Sequence, residues 1–148
     1  MLYSRQLRGG SATSTQAHME RQPRLLIIDD EPSLAEFIAN AARECGFEPR
    51  LTSNDRQFRD AFVDCRPDMV ALDLGMPGMD GVELLRFLAD QNFRAPVLII
   101  SGFDRRVLDS AFRLGEALGL TMVGPLGKPV LFDELEEILN ELKPTLAA

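Results

Sequence analysis

Four short stretches of this chain end in side chains that could do chemistry. The apolar run Leu25-Leu26-Ile27-Ile28 stops at Asp29-Asp30, Met69–Leu72 stops at Asp73, and Pro96–Ile100 stops at Ser101. Lys128 follows the fourth, weaker run within Gly127-Lys128-Pro129. If the elements bring these ends together, three carboxylates repel one another unless positive charge sits among them. A hard divalent cation with oxygen ligands supplies it at least cost. Mg²⁺ is the natural candidate, with Mn²⁺ an alternative, because it binds through a few carboxylates and keeps waters that a phosphoryl oxygen can replace. A hydroxyl and a lysine beside it would complete a cradle for phosphoryl transfer. Taken singly, an acidic pair at a strand end fits a solvated loop or helix cap just as well, and a lone Lys-Pro is weaker still. The weight lies in the conjunction of four strand ends.

Those ends converge only if the runs are strands of one parallel sheet. Continuous apolar runs suit strands buried on both faces. After the first, Pro32 suits the opening turn of a helix, and Leu34, Phe37, Ile38 and Ala41 follow at helical spacing until Gly46. Glu31 is expected to serve that first turn, where the dipole favours negative charge. Pro49–Thr52 reads as a weak strand, and Asn54 or Ser53 caps a helix through Phe58, Ala61 and Phe62. Gly81–Gln91 carries Val82, Leu84, Leu85 and Leu88 at helical spacing. A longer helix is expected from about Asp104 to Leu118, a short strand near Thr121–Leu126, and a closing helix from about Leu131 to Leu142. Alternating strands and helices with short connections predict an α/β fold: a doubly wound five-stranded parallel sheet in the flavodoxin-like order 2-1-3-4-5. That order makes strands 1, 3, 4 and 5 neighbours and gathers the polar ends at one edge.

Composition sets the outer bounds. The 148 residues are 45% apolar and 26% charged, enough for one core-bearing domain. Residues 1–23 are rich in Gly, Ser, Thr and Gln, carry Arg5, Arg8 and Arg21 against Glu20, and read as a flexible tail. His18 in that tail is the only histidine, a poor base for imidazole chemistry. The domain is expected over 24–143, with 144–148 as a C-terminal tail. From residue 24 onward 13 bases face 22 acids, a net −9 that argues against gripping nucleic-acid phosphates and favours protein partners. No apolar run reaches the ~20 residues of a membrane span, and no secretory signal is evident. Cys45 and Cys65 lie too far apart for a redox or zinc pair and read as free thiols in a reducing cytoplasm.

Asp29-Asp30-Glu31, the stretch Asp73-Leu74-Gly75-Met76-Pro77-Gly78-Met79-Asp80-Gly81, Ser101-Gly102 and Lys128-Pro129 together resemble the receiver domain of two-component response regulators. The resemblance spans residues 24–142. It implies that Asp73 accepts a phosphoryl group from a phosphohistidine on a histidine kinase or phosphotransfer protein. It also implies that Asp30 and Asp73 ligate Mg²⁺ directly, that Asp29 helps through water, and that the Gly75 carbonyl is a further ligand. Ser101 would bond the phosphoryl oxygen and Lys128 would pair with it. Met76–Gly81 is structural, since Pro77 fixes φ and the glycines permit the turns that aim the Asp73 loop.

Two departures from the family pattern bear on output. Receivers usually place Tyr or Phe three residues before the lysine, and here Pro125 stands there. The interval from Ser101 to Lys128, 27 positions, is longer than receivers usually show, so the fourth helix is expected to be extended. In this region the chain looks like receivers attached to EAL cyclic-di-GMP phosphodiesterases. Gly75 and Phe103 occupy positions that in receivers usually hold the hydrolytic water, and neither has a polar group to do so, which predicts slow self-dephosphorylation. The common receiver interface of fourth helix, fifth strand and fifth helix is expected to meet a downstream protein or a second copy. Only Lys143–Ala148 follow the closing helix, so either the signal leaves through protein contacts or an effector lies beyond this chain. The competing enzyme reading is a haloacid-dehalogenase-type phosphatase, which also uses an Asp nucleophile and Mg²⁺. It requires Asp-x-Asp after the first strand, whereas Asp29 and Asp30 are adjacent, and it normally carries a cap domain for which there is no room. A phosphoacceptor signalling domain rather than an enzyme is the expectation.

Overall fold

The computed structural model describes residues 21–75, 81–102 and 105–146. The expectations on residues 1–20, on Met76–Asp80 and on Phe103 therefore lie outside the described residues. Five strands alternate with five helices: β1 (Arg24–Ile28), α1 (Pro32–Glu44), β2 (Glu48–Thr52), α2 (Asp55–Cys65), β3 (Met69–Asp73), α3 (Gly81–Asp90), β4 (Pro96–Ser101), α4 (Arg105–Ala117), β5 (Thr121–Gly127) and α5 (Phe132–Leu142). All strand pairs are parallel and the order is β2-β1-β3-β4-β5, as the apolar runs predicted.

The pleat sends alternate side chains to opposite faces. Leu26, Ile28, Val70, Leu72, Val97 and Ile99 pack with Phe58, Phe62, Leu84, Leu88 and Leu108 from α2, α3 and α4. Leu25, Ile27, Met69, Ala71, Leu98 and Ile100 pack with Ile38 and Ala42 of α1 and Leu135 and Leu139 of α5. Every residue of β3 and β4 is buried, which is why their sequences are unbroken apolar runs rather than alternating ones. At the entrance to the sheet the Arg21 guanidinium donates to both carboxylate oxygens of Asp68, at 3.0 and 3.3 Å, and the Arg24 N–H donates to Asp68 Oδ2 at 2.8 Å.

Local starts and stops follow their chemistry. Pro32 opens α1, but Glu31 stands one residue before the first turn, with no side-chain capping bond. Its carbonyl accepts the first helical bond, from the Ala35 N–H at 3.0 Å, and the residue stands at the positive end of the helix. Asn54, not Ser53, caps α2: its Oδ1 accepts from the Gln57 N–H at 2.9 Å. α4 runs to Ala117, and the strand after it extends to Gly127.

β5 is irregular. Leu98 pairs with Val123 and Ile100 with Leu126, so Gly124 and Pro125 both stand opposite Ile99 in a bulge. Gly124 has φ +94°, and a Cβ there would lie 3.2 Å from the Ile99 carbonyl oxygen and 3.1 Å from the Leu126 nitrogen, so the bend requires glycine. Pro125 sits on an edge strand, where a missing N–H is tolerated. Among the described residues no helix is long and apolar enough to cross a membrane.

Candidate functional site

The carboxyl ends of β1, β3, β4 and β5 place the chemically competent residues side by side. Asp73 closes β3 and is 2% exposed. Its Oδ1 accepts from the Gly75 N–H at 2.9 Å, and its Oδ2 accepts from Lys128 Nζ at 3.1 Å. Asp29 follows β1 and is equally buried. Its N–H donates to the Thr52 carbonyl at 3.1 Å, and its Oδ1 accepts from the Glu31 N–H at 2.9 Å. Its Oδ2 is buried with no hydrogen-bond partner among the described residues. Asp30 is exposed beside it, and one carboxylate oxygen from each of Asp29, Asp30 and Asp73 lies within 4.8 Å of the others.

Ser101 ends β4, buried, and its carbonyl accepts from the Lys128 N–H at 3.2 Å, which ties the lysine's backbone to the serine strand. The Lys128 stem lies against Gly102, where an added Cβ would meet it at 3.4 Å. The structure thus brings together Asp29, Asp30, Asp73, Gly75, Ser101 and Lys128, each singled out from sequence. Phe103 lies outside the described residues. Sequence reasoning missed the groups that orient the acids. The Glu31 and Gly75 N–H groups and the Thr52 carbonyl are backbone atoms, and no residue type announces them.

Electrostatics follow from crowding. Burial first, then the charges of Asp73 and Asp30, raise the Asp29 pKa from 3.8 to about 6 against the opposing Glu31 N–H and Lys128. Burial pulls Lys128 down, but the Asp73 hydrogen bond and the charges of Asp73, Asp29 and Glu31 outweigh it and hold the ammonium above its ordinary value. The residues fit a hard divalent cation. The donor set is all oxygen, the carboxylates exceed the ammonium facing them, and the buried Asp29 Oδ2 still lacks a partner.

A sheet of order 2-1-3-4-5 with an acid cluster and a lysine at its carboxyl edge defines a flavodoxin-like α/β domain with its polar site at the strand ends. The model of the response regulator receiver domain matches residues 25–140, and the chain belongs to this family. It is 32% identical over 117 residues to the regulatory protein AtoC of Escherichia coli, covering 79% of this chain and 24% of that protein. It is 42% identical over 65 residues to the DNA-binding response regulator MtrA of Mycolicibacterium smegmatis, covering 44% of this chain and 28% of that one. The chain thus spans about a quarter of the length of these curated relatives. A response regulator from Colwellia psychrerythraea superposes with a TM-score of 0.71 at 29% identity, covering 84% of this chain and 99% of that one. The Francisella response regulator 1452 receiver domain gives 0.66 at 29%, covering 84% and 98%. Membership decides between the two Asp-nucleophile families weighed from the sequence in favour of the receiver.

Proposed function

We propose that residues 24–143 form a phosphorylation-switched module in which Asp73 accepts a phosphoryl group from a phosphohistidine on a sensor histidine kinase or phosphotransfer protein. The observation that carries this reading is the buried Asp73 carboxylate, held by the Gly75 N–H and by Lys128 Nζ and faced by Asp29 and Asp30. A carboxylate oxygen of Asp73 attacks phosphorus, the phosphorus–nitrogen bond to the donor imidazole breaks, and an acyl phosphate results. Both backbone and lysine donors already fix the nucleophile's orientation. Lys128 is placed to move from Asp73 Oδ2 to an oxygen of the new phosphoryl group, and the Ser101 hydroxyl to bond another.

Asp29, Asp30, Asp73 and the Gly75 carbonyl would hold Mg²⁺, with Mn²⁺ able to substitute. When bound, the ion neutralises carboxylate charge and polarises phosphoryl oxygens. The change at Ser101 and Lys128 passes to α4 and β5 and alters contacts of the α4-β5-α5 face with a downstream protein or a second copy. The acidic body supports protein partners rather than direct nucleic-acid contact or membrane insertion, and a cytoplasmic setting accords with two free thiols. Turnover is limited to slow self-dephosphorylation. Treating the chain with acetyl phosphate and Mg²⁺ should add a single phosphoryl by mass spectrometry, and none to Asp73→Asn. An unchanged adduct on that variant overturns the assignment.

A further inference from the structure

At the sheet edge opposite Asp73, where β3 and β4 begin, a cavity of about 300 Å³ opens between the ends of α2 and α3. Its floor is aromatic. Phe62 meets Phe93 and Phe87 edge to face, each at 5.4 Å between ring centres, so the floor is pinned from two sides and does not fold over to fill the space. Val63 stands at the rim with 64% of its surface exposed, a large apolar side chain left to water. The rim itself is set by unusual backbone. Among the described residues, Arg66 and Asn92 are the two non-glycine residues with left-handed φ, +49° and +58°, and both line this cavity.

Charge selects the occupant. Arg66 and Arg94 line the cavity and no Asp or Glu does, in a domain where 22 acids outnumber 13 bases. Elsewhere arginines meet carboxylates: Arg24 pairs with Glu48, Arg50 with Asp64 and Arg59 with Asp55. Arg94 instead donates to the Gly119 carbonyl at 3.2 Å, which fixes the guanidinium without matching its charge, and Arg66 makes no salt bridge among the described residues. Nor do the helix ends absorb these charges, because their last carbonyls are already taken. The Phe62 carbonyl accepts from the Arg66 N–H, Leu88 from the Phe93 N–H and Ala89 from the Asn92 N–H, each at 3.0 Å. An aliphatic ligand would leave both guanidiniums unmatched, and a bare anion would leave the aromatic floor and Val63 to water. An apolar side chain flanked by carboxylates satisfies both. The volume lies at the small end of ligand pockets, roughly 300–1,000 Å³, which suits one side chain with its acidic neighbours at the rim.

We infer that this cavity docks an acidic segment of a partner protein, with one apolar side chain on the aromatic floor and carboxylates against Arg66 and Arg94. The site lies at the far edge of the sheet and needs no phosphoryl group on Asp73, so its failure leaves the acceptor assignment untouched. In an NMR titration of the unphosphorylated chain, acetyl-Glu-Glu-Leu-Glu-Glu-amide should shift the Asn92 and Phe93 amides saturably, with a Kd on the order of millimolar. Replacing its four Glu by Gln, or its Leu by Ser, should each weaken binding by about threefold or more. Arg66→Glu, at an exposed position, should lose the acidic peptide and gain acetyl-Lys-Lys-Leu-Lys-Lys-amide, an exchange that damage to the fold does not produce. The proposal fails if the two amides do not respond, if the Gln or the Ser peptide binds as tightly as the parent, or if folded Arg66→Glu keeps the wild-type preference. Inorganic phosphate at equal ionic strength that matches the peptide would mean a site for small anions and overturn it as well.

Discussion

Lys128 and Asp73 are joined over the top of β4: Nζ lies 3.1 Å from Oδ2 although β3 and β5 are not neighbours in the sheet. The reach is possible because β4 ends at Ser101 and the Lys128 stem crosses Gly102. Asp73 is buried while Lys128 keeps 26% of its side chain exposed, so the contact serves mainly to neutralise the acid. Lys128→Met should cost about 1–3 kcal/mol in urea unfolding in chelator near neutral pH. Millimolar Mg²⁺ should return part of the loss. Unaltered stability in chelator would show that the acid cluster is balanced without this lysine.

The second prediction concerns pH. The folded Asp29 binds its proton more tightly than the unfolded chain does, with a pKa of about 6 against 3.8. The extra stability of the folded state is therefore present below the unfolded value. It falls as pH rises through the interval between the two values and is flat above. In chelator, Asp29→Asn should flatten that fall and be the more stable protein above about pH 6. Denaturation across this range decides it, and identical slopes for both proteins would refute the burial argument.

Metal should act in the opposite sense. Three clustered carboxylates with one buried, unpartnered oxygen gain from a cation. Mg²⁺ should raise the melting temperature of wild type, and do so much less for Asp30→Asn, whose exposed carboxylate contributes nothing to the core. Equal responses would remove Asp30 from the ligand set.

Output should travel through α4. Its buried positions are Leu108, Ala111 and Gly115, a narrow seam of mostly small side chains, so shifting the helix disturbs little packing. Phosphorylation should change hydrogen exchange over residues 102–120. Protection that stays constant there would mean that the signal leaves by another face.

Signal lifetime should be long. Acyl phosphate hydrolysis needs a water held in line, and neither Gly75 nor Phe103 carries a polar group to orient it. Gly75→Asn combined with Phe103→Glu should accelerate phosphoryl loss. Rapid loss from wild type with no acceleration in the double variant would place the water elsewhere.

Why the acids and the lysine were legible from the sequence, while their supports were not, has a physical basis. Asp29, Asp73 and Ser101 terminate strands buried on both faces, and an abrupt polar residue after such a run is visible in one dimension. The sheet order followed from the alternation of those runs with helical spacing. β5 carries a weaker signal because it is an edge strand with mixed exposure, and the doubled pairing of Gly124 and Pro125 against Ile99 leaves no periodic trace. Glu31 was legible as the acid at the entry to α1, but its N–H bond to Asp29 Oδ1 was not, because a backbone donor leaves no mark on residue type.

Both margins of the sheet carry a proline. On β2, Pro49 lies between the charged Glu48 and Arg50; on β5, Pro125 sits within a bulge. Neither margin offers an unbroken row of donors and acceptors to a strand from another chain, so templated strand addition and fibre growth are blocked from both sides. If α4 shifts on phosphorylation as proposed, it can do so without exposing a sheet edge on which copies could polymerise. Association between copies is left to side chains, on the helix faces and on β5 between them, where it can be reversed.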